Sequence, residues 1–211
     1  VQNVYIDTSM LEALGLSDVA FGGVSVTSSM GSGISVMIDG GAGADTIVGS
    51  AGSDLFIAGD GADTITGGAG KDHLILNRDG VSGDFVFTAT TVTVGGTLAA
   101  TFSGVEIIEA RGDSSAQSVD AEDLTGQFIY RTGGGPDTIT KSKGADTIIV
   151  EQATTAIVVP TINAAAGATT VHNANDRVFI GASGTITGDL APFTVGISDP
   201  ITFGALPERM D

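Results

Sequence analysis

Residues 40–75 consist of four consecutive nine-residue units, GGAGADTIV, GSAGSDLFI, AGDGADTIT and GGAGKDHLI. Position four of each unit is Gly, position six is Asp, and position eight is a large apolar residue. A turn followed by a strand of about three residues cannot bury its apolar residue alone, but stacked units bury all of them in one continuous core. The spacing therefore predicts a coiled stack of short strands. The position-eight residues are Ile47, Phe56, Ile65 and Leu74.

The turn of each unit is rich in potential oxygen ligands. Glycines at positions one, two and four allow positive φ angles, so that backbone carbonyls can face the inside of the loop without steric cost. The Asp at position six directs its carboxylate into the same loop. The chain has no Cys and only 2 His, and a site built from carbonyl and carboxylate oxygens favours calcium over zinc or copper.

Strands of such a coil alternate between two sides, so units one and three share one edge and units two and four share the other. We therefore expect one column of ions along Asp45 and Asp63, with Asp60 adding negative charge to it, and an opposite column along Asp54 and Asp72. The spacing suggests roughly four to eight ions in all. The loop glycines of the predicted sites are Gly41, Gly43, Gly52, Gly59, Gly61, Gly68 and Gly70.

The pattern resembles the GGxGxDxUx calcium-binding nonapeptide repeat of RTX (repeats-in-toxin) proteins, where U is a large apolar residue. The resemblance implies an all-β fold, a parallel β-roll or β-solenoid flanked by further β-strand segments, with calcium as its ligand. It also implies an extracellular protein, because relatives leave the cell by type I secretion with an uncleaved signal near the C-terminus. Segment 206–211 does not look like a typical signal, and the chain begins at Val1 rather than Met, so we expect an excerpt or a processed product.

The repeat becomes irregular on both sides, and we place the whole β-roll at 31–84. Upstream, the period continues with an apolar Ile38, but Val36 stands where Asp is expected, which predicts a coil without an ion of its own. Downstream, Gly83 and Asp84 resemble a damaged turn that leads into a strand. A Gly/Asp-rich flexible linker is the alternative, but four units in register with apolar eighth residues argue against it.

Segment 1–30 lacks the repeat. Ser9–Glu12 has the spacing of a helix capping box, and 24–27 alternates like a strand. The segment could cap the coil, or it could join a neighbouring domain or subunit in an assembly; the sequence leaves both open.

Segment 85–131 is predicted as β-rich spacer coils. Strand-forming residues occur at 91–94, 105–108 and 127–130, and Gly95-Gly96 fits a tight hairpin turn. Residues 102–108 resemble the non-binding coils that separate RTX blocks in large bacterial surface-layer proteins.

Segment 132–180 is predicted as a second, degenerate block of the same solenoid. Gly135 and Asp137 keep the loop spacing, and Gly144 and Asp146 repeat it nine residues later. Because Ser142 and Lys143 replace expected loop residues, the block could hold one or two ions or none. Asn173 to Asp176 could form one more turn, or Arg177 could pair with Asp176 in place of an ion. The remainder, 181–211, is predicted as short strands and turns.

The chain is strongly acidic, with a formal charge of −17 from 8 basic and 25 acidic residues. Such a surface repels nucleic acid and anionic membranes, and the metal-free chain also repels itself. No apolar run approaches the ~18 residues of a membrane-spanning helix, so we predict no membrane insertion. Without Cys there are no disulfides, and bound calcium takes over the stabilising role.

The sequence contains no recognisable catalytic constellation, neither a His-Glu-x-x-His helix nor a Gly-x-Ser-x-Gly turn. We therefore predict a non-enzymatic, secreted, calcium-dependent structural protein of the bacterial cell surface, which assembles with copies of itself into a surface layer, filament or matrix. The alternative is a C-terminal RTX export and folding module of a larger secreted enzyme, toxin or adhesin. A sugar- or ice-binding tip is less favoured, because aromatic residues are few and Leu55 and His73 should interrupt a threonine array formed by Thr46 and Thr64.

Overall fold

The structure is a computed structural model that describes residues 2–7, 25–27, 34–76, 82–150, 156–158, 161–163, 177–181, 185–187 and 201–204. All regular elements in these ranges are β-strands, as predicted. No helix in the described part of the chain is long and apolar enough to span a membrane. The strands are β1 (Gln2–Asp7), β2 (Ser25–Thr27), β3 (Ile34–Asp39), β4 (Thr46–Val48), β5 (Leu55–Ile57), β6 (Asp63–Thr66), β7 (His73–Leu76), β8 (Phe85–Phe87), β9 (Thr91–Val94), β10 (Thr97–Ser103), β11 (Ile107–Arg111), β12 (Ser118–Asp120), β13 (Gln127–Arg131), β14 (Thr138–Thr140), β15 (Asp146–Val150), β16 (Ala156–Val158), β17 (Thr161–Asn163), β18 (Arg177–Gly181), β19 (Thr185–Thr187) and β20 (Ile201–Gly204).

The chain divides into two compact units. Unit 1 comprises 1–78 and 89–109, and unit 2 comprises 79–88 and 110–211. The predicted helix at 9–12 and the predicted turn at 173–176 lie outside the described residues. The division of the sequence into five segments stays a prediction.

Unit 1 contains two sheets, with strand orders β1-β3-β5-β7-β11 and β9-β10-β6-β4-β2. Consecutive nonapeptide strands alternate between the sheets, and strands two units apart pair in parallel, for example β4 with β6 and β5 with β7. This is the predicted parallel solenoid, in which each nine-residue unit makes half a coil. One expectation is wrong: Leu55 and His73 cannot interrupt a threonine array at Thr46 and Thr64, because the two pairs lie in different sheets.

The position-eight side chains form the core of unit 1. All four are at most 1% exposed, and Ile38 of the preceding coil is also buried. They face inward because strand residues alternate between the two faces of a sheet. Burying each such side chain contributes roughly 1.5–3 kcal/mol to the free energy of unfolding. Each unit of the stack therefore adds to the stability of the core. The buried position-eight residues are Ile47, Phe56, Ile65 and Leu74.

The hairpin of β9 and β10 interrupts the nonapeptide pattern within unit 1. Gly95 and Gly96 have φ angles of 57° and 78°, as a tight hairpin turn with two positive φ angles requires. The strands pair antiparallel, and β10 then pairs in parallel with β6, so that Phe102 stands beside Ile65. The hairpin thus continues a sheet of the solenoid without the nonapeptide sequence. The predicted strand at 105–108 begins later, at Ile107, because the chain bends at Gly104 and Glu106.

Unit 2 contains the strand orders β13-β15-β18-β20 and β8-β12-β14-β17, with β16 paired to β19. The nine-residue spacing again moves the chain from one sheet to the other, from β14 to β15, and Ile139 and Ile148 are buried. Four aromatic rings fill the part of the core near β8 and β13, where Phe87 and Phe128 meet edge to face at 5.1 Å. The other two rings belong to Phe85 and Tyr130.

Candidate metal centre

The loops of the repeat array depend on glycine at positions two and four. In units one, three and four these residues have φ angles between 73° and 124°, which L side chains rarely adopt. In unit two, Ser50 stands at position two, and its hydroxyl accepts a hydrogen bond from the Gly52 amide at 3.0 Å. A side chain on Gly52 would overlap the carbonyl of Ile34. The positive-φ glycines of the array are Gly41, Gly43, Gly59, Gly61, Gly68 and Gly70.

Glycine occurs at position one for a different physical reason from the positive φ angle that the sequence analysis predicted. Gly40, Gly49 and Gly67 are not in the positive-φ region, so that expectation was wrong. A Cβ atom there would lie only 2.8, 2.6 and 2.5 Å from Oδ2 of the Asp in the same unit. It would also press on a backbone carbonyl of the next coil in the same column. In units one, two and four, position one is therefore glycine because a carboxylate and a carbonyl oxygen both approach its Cα, whereas unit three has Ala58 at this position.

The four position-six aspartates lie in two ladders, as the alternation of strands predicts. The amide of Asp45 donates to Oδ1 of Asp63 at 3.0 Å, 18 residues away in sequence. In the opposite column, the amide of Asp54 donates to Oδ1 of Asp72 at 2.8 Å. All four side chains are at most 3% exposed. The ladders therefore bring together the aspartates that the sequence assigned to each column.

The opposite column extends beyond the repeats at both ends. Val36, at the position where Asp was missing from the sequence pattern, donates its amide to Oδ1 of Asp54 at 2.8 Å. At the other end, the amide of Asp72 donates to Oε2 of Glu106 at 2.8 Å. Sequence reasoning missed Glu106, because it lies 34 residues from Asp72 and in a segment expected not to bind.

Asp72 carries an unsatisfied ligand atom. Its side chain is 0% exposed, and Oδ2 is buried without a hydrogen-bond partner. An anionic oxygen in this state is costly unless a cation or donor reaches it. Within the described residues no group of three or more His, Asp or Glu side chains forms a metal cluster, so backbone carbonyls or water molecules would have to complete a site there. Carboxylate and carbonyl oxygens together fit calcium, and Asp45 with Asp63 and Asp54 with Asp72 are the side chains that would hold it.

Electrostatics in the ladder also favour a cation. Burial raises the pKa of Asp72 to about 6, against the lowering effect of the hydrogen bond from the Asp54 amide. The negative charges of Asp54 and Glu106 raise the pKa further. Without an ion the Asp72 carboxylate therefore resists ionisation, whereas a divalent cation between coils would stabilise its charged form.

Two other aspartates of the array have distinct surroundings. Both carboxylate oxygens of Asp54 accept hydrogen bonds from Ser50, from its amide at 2.5 Å and from its hydroxyl at 2.8 and 3.0 Å. Asp60 is exposed, and its backbone forms two 2.9 Å hydrogen bonds to the loop, from its amide to Gly41 and from Gly43 to its carbonyl. Its carboxylate as a contributor to the first column stays a prediction.

In the second block, protein groups surround Asp137. The amide of Gln117 donates to its Oδ1 at 3.1 Å, and the hydroxyl of Tyr130 lies 3.3 Å from its Oδ2 and 3.2 Å from Oε1 of Gln117. Burial raises the pKa of Asp137 to about 6. A Cβ on Gly135 would lie 3.0 Å from its Oδ1. Both oxygens of Asp137 thus have partners from the chain itself, and no signal in the nonapeptide spacing pointed to Tyr130.

Asp146 repeats the arrangement seen at Asp54. Ser142 donates its amide at 3.2 Å and its hydroxyl at 2.7 Å to Oδ1 of Asp146. The Gly144 amide donates to the Ser142 hydroxyl at 3.0 Å, as Gly52 does to Ser50. Ser142 therefore stabilises this loop through hydrogen bonds, although it departs from the repeat pattern. Ion binding by Asp137, Asp146 and their glycines stays a prediction.

Comparison with known proteins agrees with this geometry. Residues 39–74 match the RTX calcium-binding nonapeptide repeat family, in four copies. Neither the curated proteins nor the solved structures give a significant match. The matched residues contain the four aspartates of the two ladders and the loop glycines between them. The coils of residues 39–74 are therefore an array of RTX calcium-binding nonapeptide repeats.

Proposed function

We propose that the chain is a secreted structural protein of the bacterial cell surface that folds when it binds calcium and then assembles with copies of itself. The observation that carries the calcium-dependent part is the buried ladder of carboxylates, with Oδ2 of Asp72 lacking a hydrogen-bond partner. Proteins with RTX repeats are typically secreted, and extracellular modules bind calcium at ~10⁻⁴–10⁻³ M. The chain would therefore stay open inside the cell and close outside it.

The mechanism is folding coupled to ion binding. Before binding, the entropy of the glycine-rich loops and the −17 formal charge oppose the coil. Roughly four to eight ions, as the spacing suggests, would bridge consecutive coils and cancel much of the charge. The proposal includes no catalytic activity and no nucleic-acid or membrane partner.

Sheet edges that pair with no described strand support self-assembly. Among the described strands, β1 pairs only with β3 and β2 only with β4, so each of these first strands in unit 1 has one side on which no described strand pairs. Strands β17 and β20 in unit 2 likewise pair only with β14 and β18. An unpaired edge of backbone amides and carbonyls is a template for another chain, and a second copy of the solenoid would fit it.

Negative-stain electron microscopy and sedimentation of the purified chain test the assembly. Samples in millimolar calcium, in millimolar magnesium and in chelator are compared. We expect ordered sheets or filaments in calcium only, because magnesium demands a more rigid, octahedral set of ligands. Folded monomers in calcium would refute self-assembly and favour the reading of the chain as an export and folding module.

A further inference from the structure

The ladder of Asp54 and Asp72 does not stop at the last nonapeptide repeat. The Asp72 amide donates to a carboxylate oxygen of Glu106 at 2.8 Å, the distance at which the Asp54 amide donates to the carboxylate of Asp72. Glu106 therefore stands where the Asp of a further repeat would stand. Glutamate has one more methylene than aspartate, which lets it reach the ladder from a shorter turn.

The backbone around Glu106 repeats the backbone around Asp72. Gly49 donates its amide to the Thr66 carbonyl at 2.8 Å, and Gly67 donates in the same way to Ser103 at 2.9 Å. On the other side of the loop, the Asp54 carbonyl accepts from His73 at 2.9 Å, and the Asp72 carbonyl accepts from Ile107 at 2.9 Å. The turn between Ser103 and Ile107 is thus stacked on repeat four as repeat four is stacked on repeat two.

The carbonyl of Gly104 completes the equivalence. A Cβ atom on Gly49 would overlap the carbonyl oxygen of Gly67, and a Cβ atom on Gly67 would overlap the carbonyl oxygen of Gly104. Gly104 has a φ angle of 62°, which a side chain would strain. Its carbonyl therefore occupies the place of the position-one carbonyl in a regular repeat.

A buried and unsatisfied oxygen points to a ligand at this place. Oδ2 of Asp72 has no hydrogen-bond partner. It lies 2.5 Å from the position that a Cβ atom on Gly67 would occupy, and the carbonyl oxygen of Gly104 overlaps that same position. An anionic oxygen and a carbonyl oxygen thus converge, with the carboxylate of Glu106 on the adjoining amide of Asp72. Two carboxylates and a carbonyl are hard ligands suited to calcium. The exposed position of Glu106 leaves room for water ligands and an access route.

We propose that Asp72, Gly104 and Glu106 form a further calcium site, in which Glu106 replaces the position-six Asp of a repeat that the sequence lacks. The site would fasten the turn after the β9–β10 hairpin to the last nonapeptide coil. The inference rests on calcium binding by the array and is independent of self-assembly.

Calcium titration calorimetry of the full chain tests the site with Glu106→Gln. Glutamine keeps an oxygen that can accept the Asp72 amide but removes the charge, so a purely structural role would survive. We expect the variant to bind one ion fewer, or to bind one ion at least roughly tenfold more weakly. Glu109→Gln is the matched control, because it removes the same charge three positions later from a side chain that faces His73 at 3.4 Å.

The outcomes separate this site from the rest of the account. A Glu106→Gln titration that superimposes on those of the unaltered chain and Glu109→Gln would overturn the site but leave calcium binding by the array intact. An unaltered chain that takes up no calcium would overturn both. Urea denaturation covers the case in which the glutamine variant is unstable without calcium. Saturating calcium should raise its free energy of unfolding by less than it raises that of Glu109→Gln, and an equal gain would also overturn the site.

Discussion

Asp54 and Asp72 each contact two other coils through different atoms. Oδ1 of Asp54 accepts the amide of Val36, in the coil 18 residues earlier, and Oδ1 of Asp72 accepts the amide of Asp54 in turn. The second oxygen of Asp72 is left for a cation. Both hydrogen bonds join residues 18 positions apart, which is one full coil. Replacing one aspartate therefore affects the neighbouring coils as well as its own.

Asp54→Asn tests this linkage. Asparagine retains one acceptor oxygen but loses the charge, so we expect the calcium-induced folding transition to move to at least about tenfold higher calcium and to become less steep. Circular dichroism during a calcium titration measures it. Asp123→Asn is the control, since Asp123 is exposed and faces Lys143 at 3.3 Å on the surface, where ion pairs contribute about 0–1 kcal/mol. Identical transitions in both variants would contradict a role for the Asp54 charge.

The sequence predicted the positions of site residues correctly only where the nine-residue period is unbroken. All four aspartates are found in their expected columns because nine residues make half a coil. Glu106 was missed because a segment that contains the β9–β10 hairpin separates it from the repeats, so that the nine-residue spacing does not lead to it. The reason for glycine at position one was mistaken, because close approach of oxygen atoms from another coil leaves no trace in the local sequence.

At the scale of the strand, the array depends on one inward side chain per unit. In β5 the burial alternates, with Phe56 0% exposed between half-buried Leu55 and Ile57. Strand β5 lies between β3 and β7 in its sheet, so Phe56 stands beside Ile38 and Leu74 in the core.

Phe56→Ala should lower the free energy of unfolding in saturating calcium by about 3–5 kcal/mol, because it opens a cavity in the core. Leu55→Ala, one residue away on the outer face, should cost about 1 kcal/mol or less. Urea denaturation of both variants provides the comparison. Equal losses would show that the alternation of burial in β5 is wrong.

In the second block, a tyrosine hydroxyl contacts the carboxylate of Asp137. Tyr130 is fully buried on β13, and its hydroxyl lies 3.3 Å from Oδ2 of Asp137. Burial and the charge of Asp137 raise the pKa of Tyr130, so the phenol stays protonated as a donor. The strand pattern at 127–130 predicted β13, but only packing could reveal which polar group the tyrosine meets.

Tyr130→Phe should reduce the free energy of unfolding by about 1–3 kcal/mol, because Oδ2 of Asp137 loses its donor. We expect the same loss at two calcium concentrations that both lie above the folding transition, measured by urea denaturation. A loss that calcium abolishes would contradict this, since it would mean that an ion takes the place of the hydroxyl.

For the whole molecule, buried carboxylates make the calcium-free fold sensitive to pH. The pKa values of Asp72 and Asp137 are raised to about 6 in the fold, above the ~3.9 of an unfolded Asp. Between these values the fold binds more protons than the open chain. This contribution is therefore fully present below the unfolded pKa and is lost as the pH rises through about 6.

Calcium-free chain should thus gain β-structure when the pH falls from about 7.5 to about 5, measured by circular dichroism. With calcium the sign should reverse, because protons then compete with the ion for the same oxygens. Asp72→Asn should weaken the dependence in both conditions. A calcium-free fold that is lost on acidification over this range would contradict the account.

The composition of the molecule predicted its dependence on ions but not its partners. A −17 charge, 32 Gly and no Cys led us to expect that bound calcium stabilises the coil. The proposed assembly depends instead on which surfaces meet. That no other described strand pairs with the outer edges of β1 and β2 becomes visible only once strand order is known.

Calcium-coupled folding is the central claim, and far-ultraviolet circular dichroism of the full chain with added calcium, then with excess chelator, tests it most directly. We predict a largely unordered spectrum without calcium, a cooperative rise of β-sheet signal near ~10⁻⁴–10⁻³ M calcium, and its loss on chelation. The same β-sheet spectrum with and without calcium would contradict the claim.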